Sequence, residues 1–190
     1  MAFISFLEII YLIVLTFVVG YIFSGFIKKP RTELDILDQY KNKYFNLEDI
    51  KLAIIVAAPA VVLHELAHKF VAIIFGLDAV LKLFFEGLGL AIFLKLINSP
   101  FLIVAPAYVS ISGNATEFQS MITAFSGPFI NLVLFLLAYL LLNRARLTKN
   151  QATILYLTKQ INLLLFVFNM LPIPPLDGSK VFFNLFKIIF

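Results

Sequence analysis

Apolar residues run almost unbroken from Ala2 to Ile27 and stop at Lys28, Lys29 and Pro30. Similar runs follow from Leu52 to Phe75, from Met121 to Leu142, and from Lys159 onward, the last interrupted by Pro172, Pro174 and Pro175. Each is long enough to cross about 30 Å of hydrocarbon as a helix. The pattern predicts a mainly α-helical polytopic membrane protein with four transmembrane helices, the last broken by prolines. Arg31 to Lys51 is a mixed-charge stretch opened by Thr32-Glu33-Leu34-Asp35, which predicts a capped helix lying at the membrane interface.

Between the second and third runs the pattern changes. Short β-branched and aromatic stretches (Val80 to Phe85, Leu90 to Ile97, Phe101 to Val104, Tyr108 to Ser112) alternate with Gly87-Leu88-Gly89, Asn98-Ser99-Pro100 and Ser112-Gly113-Asn114. Turn residues at that spacing predict a small membrane-associated β-hairpin sheet after the second helix, in preference to two poor transmembrane helices.

Composition agrees with a bilayer environment. Of the 190 residues 62% are hydrophobic, 22 of them Phe, and a soluble fold of this length could not bury so much apolar surface. The absence of cysteine excludes disulfides and thiolate metal sites. The net charge of +4 comes from basic residues that are scattered or stand beside acidic ones, with no basic–aromatic face for nucleic acid. The loop from Lys28 to Lys51 is rich in Lys and Arg, and a second loop carries Arg144, Arg146 and Lys149. With four spans both loops share one side, which the positive-inside rule makes cytoplasmic. The N-terminal run has no basic leader and no small-residue cleavage site, so it reads as a retained span and not as a signal peptide.

The candidate chemistry lies inside the second span, at His64-Glu65-Leu66-Ala67-His68. On a helix, positions i and i+4 face the same way, so both imidazoles can bind one metal with Glu65 beside it. No other histidine occurs in the chain. Ionisable groups at membrane depth are costly and normally functional. The competing structural reading is a polar helix contact in which Glu65 pairs with Lys69. A catalytic zinc takes three protein ligands and keeps an open position for water. Asp177 is the candidate third ligand: it follows the unwound stretch Asn169 to Leu176, and irregular backbone at membrane depth is tolerated only against protein or a polar cavity.

A His-Glu-x-x-His span followed by Asn169-Met170-Leu171-Pro172-Ile173-Pro174-Pro175-Leu176-Asp177-Gly178 resembles the site-2 protease family of intramembrane zinc metalloproteases. The resemblance covers about Leu52 to Lys180 and includes Gly127-Pro128-Phe129-Ile130-Asn131 in the intervening helix. It implies one Zn2+ per chain bound by His64, His68 and Asp177, with Glu65 as general base and Asn169 as oxyanion stabiliser. Gly127, Asn131 and Gly178 would support the site, although Asn131 can equally be an ordinary helix-contact residue. The implied partners are the lipid bilayer and a transmembrane protein substrate, which an exposed sheet edge could hold by strand addition. The expected location is a multi-pass position in a prokaryotic cell membrane.

The family often carries further helices or soluble modules, and its proline spacing differs slightly from that found here, but no ligand position is lost. The expected organisation is one domain over 1–190: a first span at 1–27, an interfacial connector at 28–51 and a catalytic core at 52–190. The alternative is a non-catalytic membrane scaffold or metal-binding protein that retains the fold, against which stands the presence of Glu65 and every ligand.

Overall fold

The computed structural model describes residues 3–28, 46–99, 107–144 and 146–190. Helix α1 (Phe6–Phe23) starts at Ser5, whose hydroxyl accepts from Glu8 N–H while the Glu8 carboxylate accepts from Ser5 N–H, a reciprocal cap that satisfies two free amides. Helix α2 (Leu47–Ile74) starts at Asn46, whose side-chain oxygen accepts from the amides of Glu48 and Asp49. These two helices pack together through Leu15, Val19 and Ile22 on α1 and Ala53, Val56, Ala57 and Ala60 on α2. The alanines give α2 a thin face, the device by which membrane helices approach closely.

Strands β1 (Asp78–Leu83) and β2 (Ala107–Ser112) pair antiparallel, with Leu81 opposite Val109. The predicted small antiparallel sheet is therefore present, although its two strands are not joined by a turn as in a hairpin, and Leu90 to Ile97 is not one of them. It lies in and just beyond helix α3 (Phe85–Leu96), and Gly87-Leu88-Gly89 is helical and not a turn. Burial on one face explains the difference: Gly87, Leu88 and Ala91 point inward. Lys95 ties the far end to α1, donating to the Tyr21 carbonyl and, at 2.7 Å, to Ser24 Oγ. Burial pushes its ammonium down to about 8, the negative charge of Asp49 working against that shift. Phe101 to Val104 and most of the proposed interfacial connector, including the capped helix at Thr32, lie outside the described residues.

Helix α4 (Glu117–Arg144) packs on α2, on α5 (Lys149–Asn169) and on α6 (Asp177–Ile189). The fourth span begins ten residues earlier than the apolar run predicts, because Thr148 and Gln151 form a reciprocal cap that starts the helix at Lys149. It ends at Asn169, and residues 170–176 carry the prolines before α6 resumes at Asp177. The expected broken helix is thus two helices joined by a short irregular link. Helices α1, α2, α4 and α5 are each long and apolar enough to cross a membrane. Large side chains such as Phe17, Phe70, Phe129, Leu141 and Leu164 point outward from them, the arrangement of a multi-pass membrane protein.

Candidate metal centre

His64, Glu65 and His68 occupy successive inward positions on α2 and are each only 7% exposed. His64 stands ten residues before the end of α2, about 15 Å along the axis at 1.5 Å per residue. His64 Nδ1 lies 2.7 Å from Asn131 Oδ1 on α4, and His68 Nδ1 lies 2.7 Å from the carbonyl oxygen of Thr123 on the same helix. A carbonyl oxygen only accepts, so each Nδ1 carries the hydrogen, and a ring in that tautomer presents a bare Nε2.

Those two Nε2 atoms are 3.1 Å apart, and Asp177 Oδ2 lies 3.1 Å from one and 3.3 Å from the other. Three acceptor atoms therefore face one another. A tetrahedral ion with bonds near 2.0–2.1 Å sets its ligand atoms about 3.3–3.4 Å apart, close to the spacings found here. The donor set of two imidazoles and one carboxylate, with the second nitrogen of each ring already engaged, fits a zinc ion. Asp177 reaches the rings because α6 starts beside them, and Gly178 permits that start. A side-chain carbon at Gly178 would come within 2.6 Å of the Leu171 carbonyl oxygen.

Gly127 on α4 has a related role. A β-carbon there would stand 2.6 Å from His68 Cε1 and 2.7 Å from His64 Cε1, so only glycine leaves both rings their space. Asn131 is fully buried; its amide nitrogen donates to the Ala60 carbonyl (3.0 Å) and to Asn162 Oδ1 on α5 (2.9 Å). Asn131 thus contacts a candidate ligand directly. The Lys69 ammonium pairs with Glu8 of α1, and the competing contact between Glu65 and Lys69 does not form. Glu65 keeps its carboxylate for the cavity.

That cavity, of about 890 Å³, is lined by His64, Glu65, His68, Asp177 and Asn169 and also by residues of β2. Asn169 is half-buried at the end of α5 and reaches the cavity without a hydrogen bond to a ligand residue among the described residues. On β1 the outward amide of Leu81 donates to Glu8 Oε1 at 2.8 Å, closing that edge of the sheet. Because alternate antiparallel pairs turn their peptide groups outward together, Val109 opposite Leu81 directs its own away from β1, as do Ala107 and Ile111. These three residues line the cavity.

The model of peptidase family M50 matches residues 144–190, which include Asn169, Asp177 and Gly178. A candidate zinc metalloprotease of Methanocaldococcus jannaschii is 32% identical over 134 residues, covering 68% of this chain and 68% of its own length. The chain belongs to peptidase family M50, the site-2 protease family. Another candidate zinc metalloprotease, from Bacillus subtilis, is 29% identical over 161 residues, covering 73% of this chain and 70% of its own. A third, from Synechocystis, is 34% identical over 123 residues, 64% of this chain but 28% of that longer protein.

Membership of the family agrees with a metalloprotease whose cofactor is zinc. Sequence reasoning missed three residues around the rings: Thr123, whose carbonyl orients His68; Ser126, whose hydroxyl shares that carbonyl; and Asn162. The available signal for Asn162 was a lone amide within the apolar turns Ile161 to Phe168.

Proposed function

We propose that this protein is a zinc-dependent endopeptidase that hydrolyses peptide bonds within transmembrane segments of membrane proteins. The observation that carries the reading is the convergence of three acceptor atoms, His64 Nε2, His68 Nε2 and Asp177 Oδ2, within 3.3 Å of one another inside an apolar span. Neutral rings of those tautomers repel one another and the carboxylate, so a cation belongs among them. Held by these three side chains, a zinc ion would supply Lewis-acid activation of a water and of the scissile carbonyl.

The chain's own residues supply the rest. Glu65 lies beside the candidate ligands on the cavity wall, where its carboxylate takes the proton of the attacking water and passes it to the departing amine. Asn169, lining the same cavity, donates its amide hydrogens to the oxygen on which negative charge develops. A helical substrate must unwind before it can react, because its amides are already hydrogen-bonded. The outward groups of Ala107, Val109 and Ile111 give the unwound segment a strand to pair with, and Glu8 directs that pairing to β2 by closing the edge of β1.

The whole chain acts as one such unit, and the prokaryotic sources of its relatives favour a prokaryotic cell membrane. A non-catalytic scaffold would have no use for Glu65 on the cavity wall. The test is zinc content and cleavage of a membrane-embedded substrate by purified protein. About one zinc per chain, and cleavage abolished by a chelator and restored by zinc, are expected. Full cleavage without metal would refute the reading.

A further inference from the structure

Asn162 touches neither a candidate ligand nor the cavity wall, yet it is fully buried in the fourth span. Its amide nitrogen donates 2.8 Å to the Thr158 carbonyl of its own helix, which leaves its Oδ1 facing Asn131. Asn131 in turn donates to Asn162 Oδ1 and to the Ala60 carbonyl, which leaves its own Oδ1 facing His64 Nδ1. Two backbone carbonyls, Thr158 and Ala60, can only accept, so the direction of every bond in this chain is set. Each amide has one orientation that satisfies its neighbours; turning Asn131 over would place its oxygen against the oxygens of both Ala60 and Asn162.

We propose that Asn162 is a positioning residue for the metal centre: it locks the amide of Asn131 and thereby holds His64 as the tautomer with hydrogen on Nδ1 and a bare Nε2 aimed at Asp177. The role rests on the zinc reading of the site for its purpose, though not for its geometry. With Asn162 present, both amide hydrogens of Asn131 have acceptors, and its oxygen stays on the ring. Without Asn162, one hydrogen is orphaned in an apolar interior, and the Ala60 carbonyl alone opposes turning the amide over. His68 has a different anchor, the Thr123 carbonyl, and does not depend on the two asparagines. That independence gives the test an internal control.

The experiment is nitrogen NMR of histidine-labelled metal-free protein in detergent, at a pH where both rings are neutral, together with zinc affinity by chelator competition. In the unsubstituted protein both rings should give a single tautomer with hydrogen on Nδ1. In Asn162→Leu, His64 should become a mixture of tautomers while His68 stays unchanged, and zinc affinity should fall about 10-fold, the lower end for lost outer-sphere partners. Asn162→Asp, whose carboxyl still accepts from Asn131, should restore the single His64 tautomer and most of the affinity. If the leucine variant does not fold, Asn162→Ala offers the same loss of acceptor without added bulk. An unchanged His64 tautomer with unchanged affinity would overturn the proposal, as would equal disturbance of both rings, which is the mark of general loosening. Because the tautomers are read without metal, a protein that took up no zinc would defeat the functional reading and leave this measurement decisive for Asn162.

Discussion

Gly127 stands so close to His68 that a β-carbon on it would lie 2.6 Å from the ring's Cε1 atom, well inside van der Waals contact. Helix propensity favours alanine over glycine by up to about 1 kcal/mol, so the glycine in the middle of α4 is there for space and not for helix stability. Gly127→Ala should therefore keep the helical content of the protein while displacing the imidazoles. Its zinc affinity is expected to drop by roughly 10-fold or more, as when a supporting contact to a ligand is lost. Circular dichroism with zinc titration checks this; wild-type affinity in the variant would show that the rings have room to move.

Glu65→Gln should abolish hydrolysis and leave about one zinc per chain. The carboxylate is on the cavity wall but outside the converging triad, so its loss removes a proton carrier and no ligand. General acid–base catalysis contributes about 10²–10⁴-fold, which sets the expected loss. Metal analysis and a cleavage assay on the same preparation separate the two roles. A variant with diminished zinc would move Glu65 into the ligand set.

Asp177 and Asn169 bracket the irregular link, and their substitution should separate cleanly. Asp177→Ala removes one corner of the triad and should lower zinc occupancy. Asn169→Ala should spare the metal and slow turnover by about 10²–10³, the usual cost of one oxyanion donor. Zinc loss from Asn169→Ala would instead make that residue structural or a ligand.

The parts of this site that were legible in the sequence are those written in local spacing. His64 and His68 share a face because they are four apart, and Asp177 stood out because prolines in an apolar run demand an explanation. Asn162 did not, because its meaning lies in a partner 31 positions away on another helix. The competing local pairing does not form: Glu65 and Lys69 are correctly spaced for a helical ion pair, but Lys69 finds Glu8 across 61 positions. The same competition explains Leu90 to Ile97. Its β-branched and aromatic content and neighbouring glycines read as strand and turn, whereas burial of Gly87, Leu88 and Ala91 on one face selects a helix.

The Glu8–Lys69 pair itself is testable. Both side chains are 4% exposed, and Glu8 also accepts from Leu81 N–H, so α1, α2 and β1 meet at one carboxylate. Removing one partner of a buried pair strands the other charge and typically costs about 3–5 kcal/mol. Lys69→Met should therefore lower thermal stability in detergent substantially. The double variant Glu8→Gln, Lys69→Met should recover much of that loss, since the glutamine leaves no stranded charge and can still accept from Leu81. Losses that simply add would mean that the two charges do not depend on one another.

The depth of the centre makes a final demand on the substrate. With His64 about 15 Å from the nearer end of α2, the proposed reaction requires a scissile bond to be brought well inside the bilayer. A transmembrane helix can arrive there, but its backbone is shielded until several hydrogen bonds open. Glycine costs a helix about 1 kcal/mol relative to alanine, and proline about 3 kcal/mol. Either residue near the cut should therefore make a segment easier to unwind, and easier to lay along Ala107, Val109 and Ile111. Matched substrates in liposomes, differing only in Gly, Pro or Asn against Leu at those positions, should be cleaved several-fold faster in the helix-weakened form. If unwinding limits the reaction, the advantage should shrink when detergent loosens the leucine version as well. Equal rates in liposomes, or faster cleavage of an unfolded soluble protein such as casein, would argue that the natural substrate is not a membrane-spanning helix.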